Sequence, residues 1–106
     1  MNIDRIYELM YSPLTTPDAI LENVYLENYE YIKFYKTSDF LIGEMKCKCY
    51  GDDYQSIFYY YFNKNNYLER IVKSDINGDD EVFNRATELI KAKQAYYELG
   101  PQLAVS

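Results

Sequence analysis

The chain has 106 residues, of which 48% are hydrophobic and 26% charged, a globular composition that disfavours intrinsic disorder. This length accommodates one hydrophobic core, so we expect a single domain spanning residues 1–106. The formal net charge of −6 disfavours simple attraction to a nucleic-acid backbone or an anionic membrane. No apolar run approaches the roughly 20 residues that span a bilayer, and the expected location is the cytoplasm.

Two short helices are predicted near the N-terminus. The first carries an apolar stripe at helical spacing, formed by Ile3, Ile6, Tyr7 and Met10. The second begins after Thr16, whose side chain can cap the helix while Pro17 takes its first position. Each helix needs a partner surface on which to bury its apolar residues.

Four strands follow, and we expect an antiparallel meander because sequential strands usually pair. The alternating or β-favouring stretches run from Tyr29 to Tyr35, Phe40 to Tyr50, Ser56 to Phe62 and Tyr67 to Lys73. The third stretch is apolar on both sides, so its pattern leaves the register open.

A long helix is predicted to close the chain. Carboxylates are favourable in the first turn of a helix, which places Asp79, Asp80 and Glu81 there, and Gly100 with Pro101 ends it. Its apolar face comprises Val82, Phe83, Ala86, Leu89, Ile90 and Tyr97. Since the sheet offers the only large apolar area, we expect an α+β fold with the helices packed on one face of the four-stranded sheet.

The other face of the sheet would then be free and rich in tyrosine and lysine. The residues expected on it are Tyr29, Tyr31, Tyr35, Lys46, Lys48, Tyr50, Tyr59, Tyr61 and Lys73. Tyrosine supplies a large contact area together with a hydroxyl group, and the chain contains 14 tyrosines. Codon usage in a low-GC genome would produce a similar enrichment, so composition leaves both explanations open.

Side chains of common active sites are scarce. The absence of histidine removes the imidazole base, the Ser-His and Cys-His pairs and histidine metal ligands. Cys47 and Cys49 lie two apart on one predicted strand face, without the further soft ligands that zinc requires. We therefore expect reduced core cysteines, no metal, no cofactor and no enzymatic activity. A small-ligand protein or an enzyme of other chemistry is an alternative.

Acidic residues concentrate in the segments that flank the predicted sheet. Those expected to contact a partner are Glu22, Glu27, Glu30, Asp75, Asp79, Asp80 and Glu81. Such a surface would steer a basic partner, for example a nuclease or another nucleic-acid-binding protein. A homodimer with tyrosines packed across a two-fold axis is a further alternative.

In size and composition the chain resembles small, acidic, tyrosine- and asparagine-rich proteins of phages and mobile elements, among them anti-CRISPR inhibitors. Some of those inhibitors present acidic surface to the basic nucleic-acid groove of a nuclease. The resemblance implies a non-enzymatic interaction protein that inhibits a basic nucleic-acid-handling partner. The alternative from another class is single-stranded nucleic-acid binding, in which sheet tyrosines stack on bases and lysines meet phosphates.

Overall fold

The computed structural model describes residues 3–49 and 51–105, with the backbone alone described from 99 to 105. The elements are α1 (Ile3–Tyr11), α2 (Pro17–Leu21), the 3₁₀ helix η1 (Glu22–Tyr25), β1 (Tyr29–Lys36), β2 (Leu41–Lys48), β3 (Gln55–Phe62), β4 (Leu68–Asp75), β5 (Gly78–Asn84) and α3 (Arg85–Val105). The strands pair antiparallel in the order β1-β2-β3-β4-β5. The α+β class with an antiparallel sheet and a C-terminal helix is confirmed, but the sheet has five strands and not four.

The additional strand lies where the sequence predicted the start of the last helix. β5 contains the three residues expected in the first helical turn, Asp79, Asp80 and Glu81. The hairpin that precedes it has Gly78 at a φ of +107°, a conformation that suits glycine. In the same turn, the Asp75 carboxylate accepts a hydrogen bond from the Asn77 N–H at 2.8 Å. The turn at Gly78 and the pairing with β4 therefore favour a strand, although three consecutive acids are also typical of the first turn of a helix.

The true start of α3 is set by a bulge and a cap. The β4–β5 pairing shifts by one residue at Val82, whose side chain is 52% exposed, and Phe83 packs against the core. The side-chain oxygen of Asn84 then accepts a hydrogen bond from the Thr87 N–H at 3.1 Å. This is an N-cap, and α3 begins with the next residue.

One face of the sheet, which we call the covered face, carries the hydrophobic core. Ile20 from α2 is buried against side chains of the sheet, the fully buried ones being Met45, Phe62 and Leu68. α2 forms as predicted, with the Thr16 hydroxyl accepting a hydrogen bond from the Ala19 N–H at 3.2 Å. A Cβ on Gly43 would lie 2.8 Å from the Phe34 ring, so this glycine allows close packing across strands.

The predicted packing of all helices on one sheet face is only partly correct. α2 and η1 adjoin the covered face and β1, whereas α1 packs on α3, and α3 contacts the sheet at β4 and β5. The molecule is consequently 53 Å long, with a radius of gyration of 16.7 Å. A compact domain of this length would have a radius of gyration near 13 Å. The helix pair thus extends from the end of the sheet.

Arg85 joins this helix pair to the sheet. Its side chain is buried, and its guanidinium group donates hydrogen bonds to the carbonyls of Leu68 at 2.7 Å, of Pro13 at 3.3 Å and of Leu9. The guanidinium carbon lies 5.4 Å from the centre of the Tyr67 ring. One cation therefore ties together α1, the loop after it, β4 and the first turn of α3.

The same contacts cap the C-terminal end of α1. The last four carbonyls of a helix lack intrahelical donors, and that of Leu9 accepts from Arg85. The Tyr11 carbonyl accepts from the Tyr67 hydroxyl at 3.0 Å, and the Glu8 carbonyl accepts from the Ser12 N–H at 2.9 Å. A cation at this end also interacts favourably with the helix dipole.

We predict that Arg85→Met lowers the free energy of unfolding by about 3 kcal/mol, because it leaves buried carbonyls without their charged donor. The matched control is Arg70→Met, which removes a half-exposed surface ion pair and should cost less than about 1 kcal/mol. Urea denaturation of both variants measures the difference. Equal losses would show that Arg85 does not anchor the helices.

Candidate functional site

The face of the sheet opposite the core is uncovered by the described helices, and we call it the open face. Cross-strand pairing arranges it in three rows that run from β1 to β5. The first row is Tyr35, Ile42, Tyr61, Arg70 and Asn84. The second is Lys33, Glu44, Tyr59, Val72 and Glu81, and the third is Tyr31, Lys46, Ile57, Ser74 and Asp79. Aromatic, aliphatic and charged groups therefore alternate across one continuous surface.

Glu44 is the most buried charged group in these rows, with 9% of the residue exposed. Its two carboxylate oxygens accept hydrogen bonds from the hydroxyls of Tyr31 at 2.6 Å and Tyr35 at 3.1 Å, and the Lys33 ammonium lies 3.5 Å away. Burial acts to raise the pKa of Glu44, but the two hydroxyls and the ammonium outweigh it, and the pKa is lowered. Glu44 therefore stays ionised at neutral pH and fixes both tyrosines.

Three tyrosines of the open face, Tyr31, Tyr35 and Tyr59, have raised pKa values. The hydrogen bond to Glu44 raises the pKa of Tyr31 to about 12. Burial, followed by the hydrogen bond to Glu44, raises the pKa of Tyr35 to about 12. Burial also raises the pKa of Tyr59. Their hydroxyls thus act as hydrogen-bond donors throughout the physiological pH range.

Each cation in the three rows has a carboxylate partner. The pairs are Lys33 with Glu44 at 3.5 Å, Lys46 with Glu30 at 3.2 Å, and Arg70 with Glu81. Arg70 also lies over the Tyr61 ring, with 5.3 Å between the guanidinium carbon and the ring centre. The rows contain three cations, Lys33, Lys46 and Arg70, and three carboxylates, Glu44, Glu81 and Asp79. Glu30 lies beside the rows, at the irregularity in β1. The open face is therefore close to neutral despite the acidity of the chain.

A shallow depression of about 400 Å³ lies on the open face over β3 to β5 and the Tyr35 side chain. Its walls combine tyrosine rings and an aliphatic side chain with charged groups; the lining residues are Tyr35, Tyr59, Tyr61, Arg70, Val72, Ser74, Asp79 and Glu81. An apolar centre with a polar, charged periphery is typical of surfaces that bind proteins.

The structure places most residues that were expected on the free face in these rows. They are Tyr31, Tyr35, Lys46, Tyr59 and Tyr61, while Lys48 is exposed at the end of β2 and Tyr50 lies outside the described residues. Tyr29 was placed wrongly, because an extra residue, Glu30, shifts the pairing and turns Tyr29 to the covered face. Lys73 was also placed wrongly, since a second shift at Glu69 leaves Lys73 opposite Phe58.

The acidic residues expected to contact a partner do not form one surface. Glu22, Glu27 and Glu30 lie beside or on β1, whereas Asp75, Asp79, Asp80 and Glu81 lie on the β4–β5 hairpin. These opposite sheet edges are four strand spacings apart, about 19 Å. The Asp75 carboxylate is mostly buried and lies 3.7 Å from the Lys73 ammonium, which removes it from the accessible set. Two acidic edges therefore flank a neutral face.

Two residues that shape the open face were not recognised from the sequence. Glu44 lies on the same side of β2 as Lys46, as alternation along a strand requires. The signal that could have identified its role is that it is an isolated acid among apolar residues of the strand. Arg70 was not among the residues expected on this face, but it lies there beside Glu81. The extra residue at Glu69 reverses the side on which Arg70 lies.

The cysteines lie on the covered side of the sheet. Both are free; Cys47 is buried and Cys49 is half-buried. Burial raises the pKa of the Cys47 thiol. Within residues 3–49 and 51–105 no three Cys, Asp or Glu side chains are grouped so as to hold a metal ion. None of the helices in the described part has both the length and the apolar character needed to cross a membrane.

Replacing Glu44 by Gln should lower the pKa of Tyr31 from about 12 toward the ordinary value near 10, because the hydrogen bond to the carboxylate is the main cause of its shift. The pKa of Tyr35 should fall less, because burial, the main cause of its shift, remains. A raised folded-state pKa contributes stability that is present below pH 10 and lost as pH rises through 12. Because the variant lacks most of this contribution, it should be less stable than the wild type below pH 10, and the difference should shrink as pH rises from 10 to about 12. NMR titration of the tyrosine ring carbons measures the pKa values of Tyr31 and Tyr35, with Glu22→Gln as the control. An unchanged Tyr31 pKa in Glu44→Gln would contradict the assignment.

Comparison of the chain with known proteins found no relative. It matches no protein-family model, and neither the curated proteins nor the solved structures gave a match. The residues of the open face and its edges are therefore the basis for proposing a function.

Proposed function

We propose that the chain is a non-enzymatic protein-binding module whose open face contacts a partner protein. One observation carries the proposal: the three cations within the rows, Lys33, Lys46 and Arg70, are already paired with carboxylates. In contrast, the rings of Tyr35, Tyr59 and Tyr61 line an uncovered depression. Tyrosines held in place by hydrogen bonds are effective anchors, because little side-chain entropy is lost when they bind. Tyr31 and Tyr35 are held in this way by Glu44.

The charges of the open face favour a protein over a nucleic acid as its ligand. Phosphate groups require accessible cations, and the ammonium groups of Lys33 and Lys46 and the guanidinium of Arg70 would have to exchange their carboxylates for phosphates. The remaining carboxylates would then face the nucleic-acid backbone. Single-stranded nucleic-acid binding by this face thus has weaker support, although aromatic rings are present for stacking.

The exposed acids beside the open face suggest that the partner is basic. Asp79 and Asp80 are exposed on the edge strand β5, and Glu22 and Glu27 are exposed at the other edge. Acids on an edge strand also prevent pairing with other sheets, which explains part of their presence. In the proposed complex they attract a basic protein, and the module inhibits a nucleic-acid-handling partner by occupying its basic surface.

A small-molecule or enzymatic role has less support from the same geometry. A depression of about 540 Å³ at the end of the sheet is shallow, and loop residues such as Asp39 and Asn63 line it together with Glu69, Arg70 and Asn84 of the strands. The groups of the open face with shifted pKa values include Tyr31, Tyr35 and Glu44, and these three are hydrogen-bonded to each other, since both hydroxyls donate to the carboxylate. A catalytic acid or base needs a free path to its substrate.

To test the proposal, a photoreactive phenylalanine analogue is placed at Tyr59 and, as a control, at the 89% exposed Tyr25. The partner crosslinked from Tyr59 is identified and purified. We predict that Tyr35→Ala with Tyr61→Ala weakens its affinity at least about 30-fold in calorimetry, as expected for interface anchors. Tyr25→Ala should change affinity less than about twofold. Equal affinities would rule out the open face as the binding surface.

If the partner is basic, its association with the chain should depend on salt concentration. The association rate should fall by at least about tenfold between about 0.05 M and 0.5 M salt, and Asp79→Asn with Asp80→Asn should reduce this dependence. The matched control is Asp4→Asn with Glu8→Asn on α1. An association rate indifferent to salt would exclude steering by the acidic edges. Retardation of single-stranded oligonucleotides that is lost in Tyr59→Ala would favour the nucleic-acid alternative.

A further inference from the structure

α1 and α3 leave an apolar surface without a partner among the described residues. The sequence predicts that the stripe of α1 is buried on the sheet, yet three of its four members are exposed, and exposed aromatic and aliphatic side chains adjoin it on α3. The exposed fractions are 43% for Ile3, 57% for Tyr7, 40% for Met10, 61% for Tyr11, 57% for Ile90 and 69% for Tyr97. Exposed aromatic and aliphatic groups in such a contiguous patch mark an interaction site.

The patch has both a ridge and a recess. The rings of Tyr7 and Tyr11 stack on one helix, with 5.9 Å between their centres, and those of Tyr96 and Tyr97 meet edge to face on the other at 5.6 Å. Between the helices lies a groove of about 250 Å³, in which Lys93 is the one charged residue of the lining. A ridge and a recess on the same surface can fit each other across a two-fold axis.

The solvent-accessible area of the chain exceeds that of a compact monomer of the same mass. The chain exposes 7340 Å² at a mass of 12.7 kDa, about 1,100 Å² more than the roughly 6,200 Å² of a compact monomer. A stable interface of standard size buries about 800 Å² on each partner. The excess is therefore sufficient for one such interface.

We propose that a second copy of the chain occupies this groove, so that α1 and α3 of two molecules pack as a four-helix layer. The charge of the two helices does not oppose this arrangement, because their acids (Asp4, Glu8, Glu88 and Glu98) are matched by as many bases (Arg5, Arg85, Lys91 and Lys93), and the groove lining contains a single lysine. Burial of the Tyr7 and Tyr97 rings supplies the apolar area that α1 and α3 cannot bury on their own sheet.

This dimer is independent of the proposed function, because the groove and the open face belong to different elements. It also has a consequence for binding. Two open faces in one particle allow a partner with two copies of its site to bind with increased avidity, provided that the geometry permits simultaneous contact.

Sedimentation equilibrium of the full chain tests the proposal. We expect a mass of about 25 kDa at micromolar concentration, twice the 12.7 kDa of one chain. Tyr7→Glu and Tyr97→Glu should each raise the dissociation constant at least about 30-fold, since each places a charge in the interface. Tyr25→Glu makes the same change on η1 and should leave the dimer intact. Circular dichroism establishes that each variant is folded; if Tyr7→Glu unfolds, Tyr97→Glu provides the test.

Three results would overturn the dimer. One is a mass of 12.7 kDa for the wild type at concentrations up to about 1 mM. Another is equal dissociation constants for Tyr97→Glu and Tyr25→Glu. The third is binding of the monomer to phosphatidylcholine vesicles that is lost in Tyr97→Glu, which would assign the groove to a lipid surface.

Discussion

The buried guanidinium of Arg85 is the constraint on which the architecture depends. Its acceptors are carbonyls of α1, the following loop and β4, so a movement of either helix away from β4 would break some of these hydrogen bonds. A buried cation that loses its acceptors is far more costly than an exposed ion pair. Arg85 is also the first residue of α3, so it fixes where the helix leaves the sheet. Both helices are consequently held at the end of the sheet and not against its second face.

Two surfaces follow from this placement. The open face remains uncovered, and Glu44 compensates for its exposure by binding Tyr31 and Tyr35, so the tyrosines form an ordered surface. The apolar sides of α1 and α3 also remain uncovered, because the sheet that would bury them is out of reach. An acidic chain thus presents one neutral, tyrosine-rich surface and one apolar surface, with its exposed acids between and around them. The surface proposed to bind a partner and the surface proposed to form the dimer therefore lie on separate parts of the molecule.

Much of this fold is readable from residue patterns, and the failures have identifiable physical causes. Thr16 and Pro17 mark the start of α2, and period-two alternation identifies the strands. Asp79 and Asp80 are equally compatible with a helix start and an exposed edge strand, and only pairing with β4 decides between them. Single extra residues at Glu30 and Glu69 reverse the sides of Tyr29 and Arg70, and a bulge has no local signature in these strands. The role of Arg85 could not be predicted, because its acceptors are backbone carbonyls distant in sequence.

The central claim is that the tyrosine face of the sheet is exposed to solvent while the helices lie beyond its end. The most direct measurement is NMR line broadening of methyl groups by a soluble paramagnetic chelate that does not bind the protein. Val72 lies in the depression of the open face, whereas Met45 is 1% exposed on the covered face. We expect strong broadening of the Val72 methyl signals and little for Met45. Protection of Val72 equal to that of Met45 would show that another part of the chain covers this face.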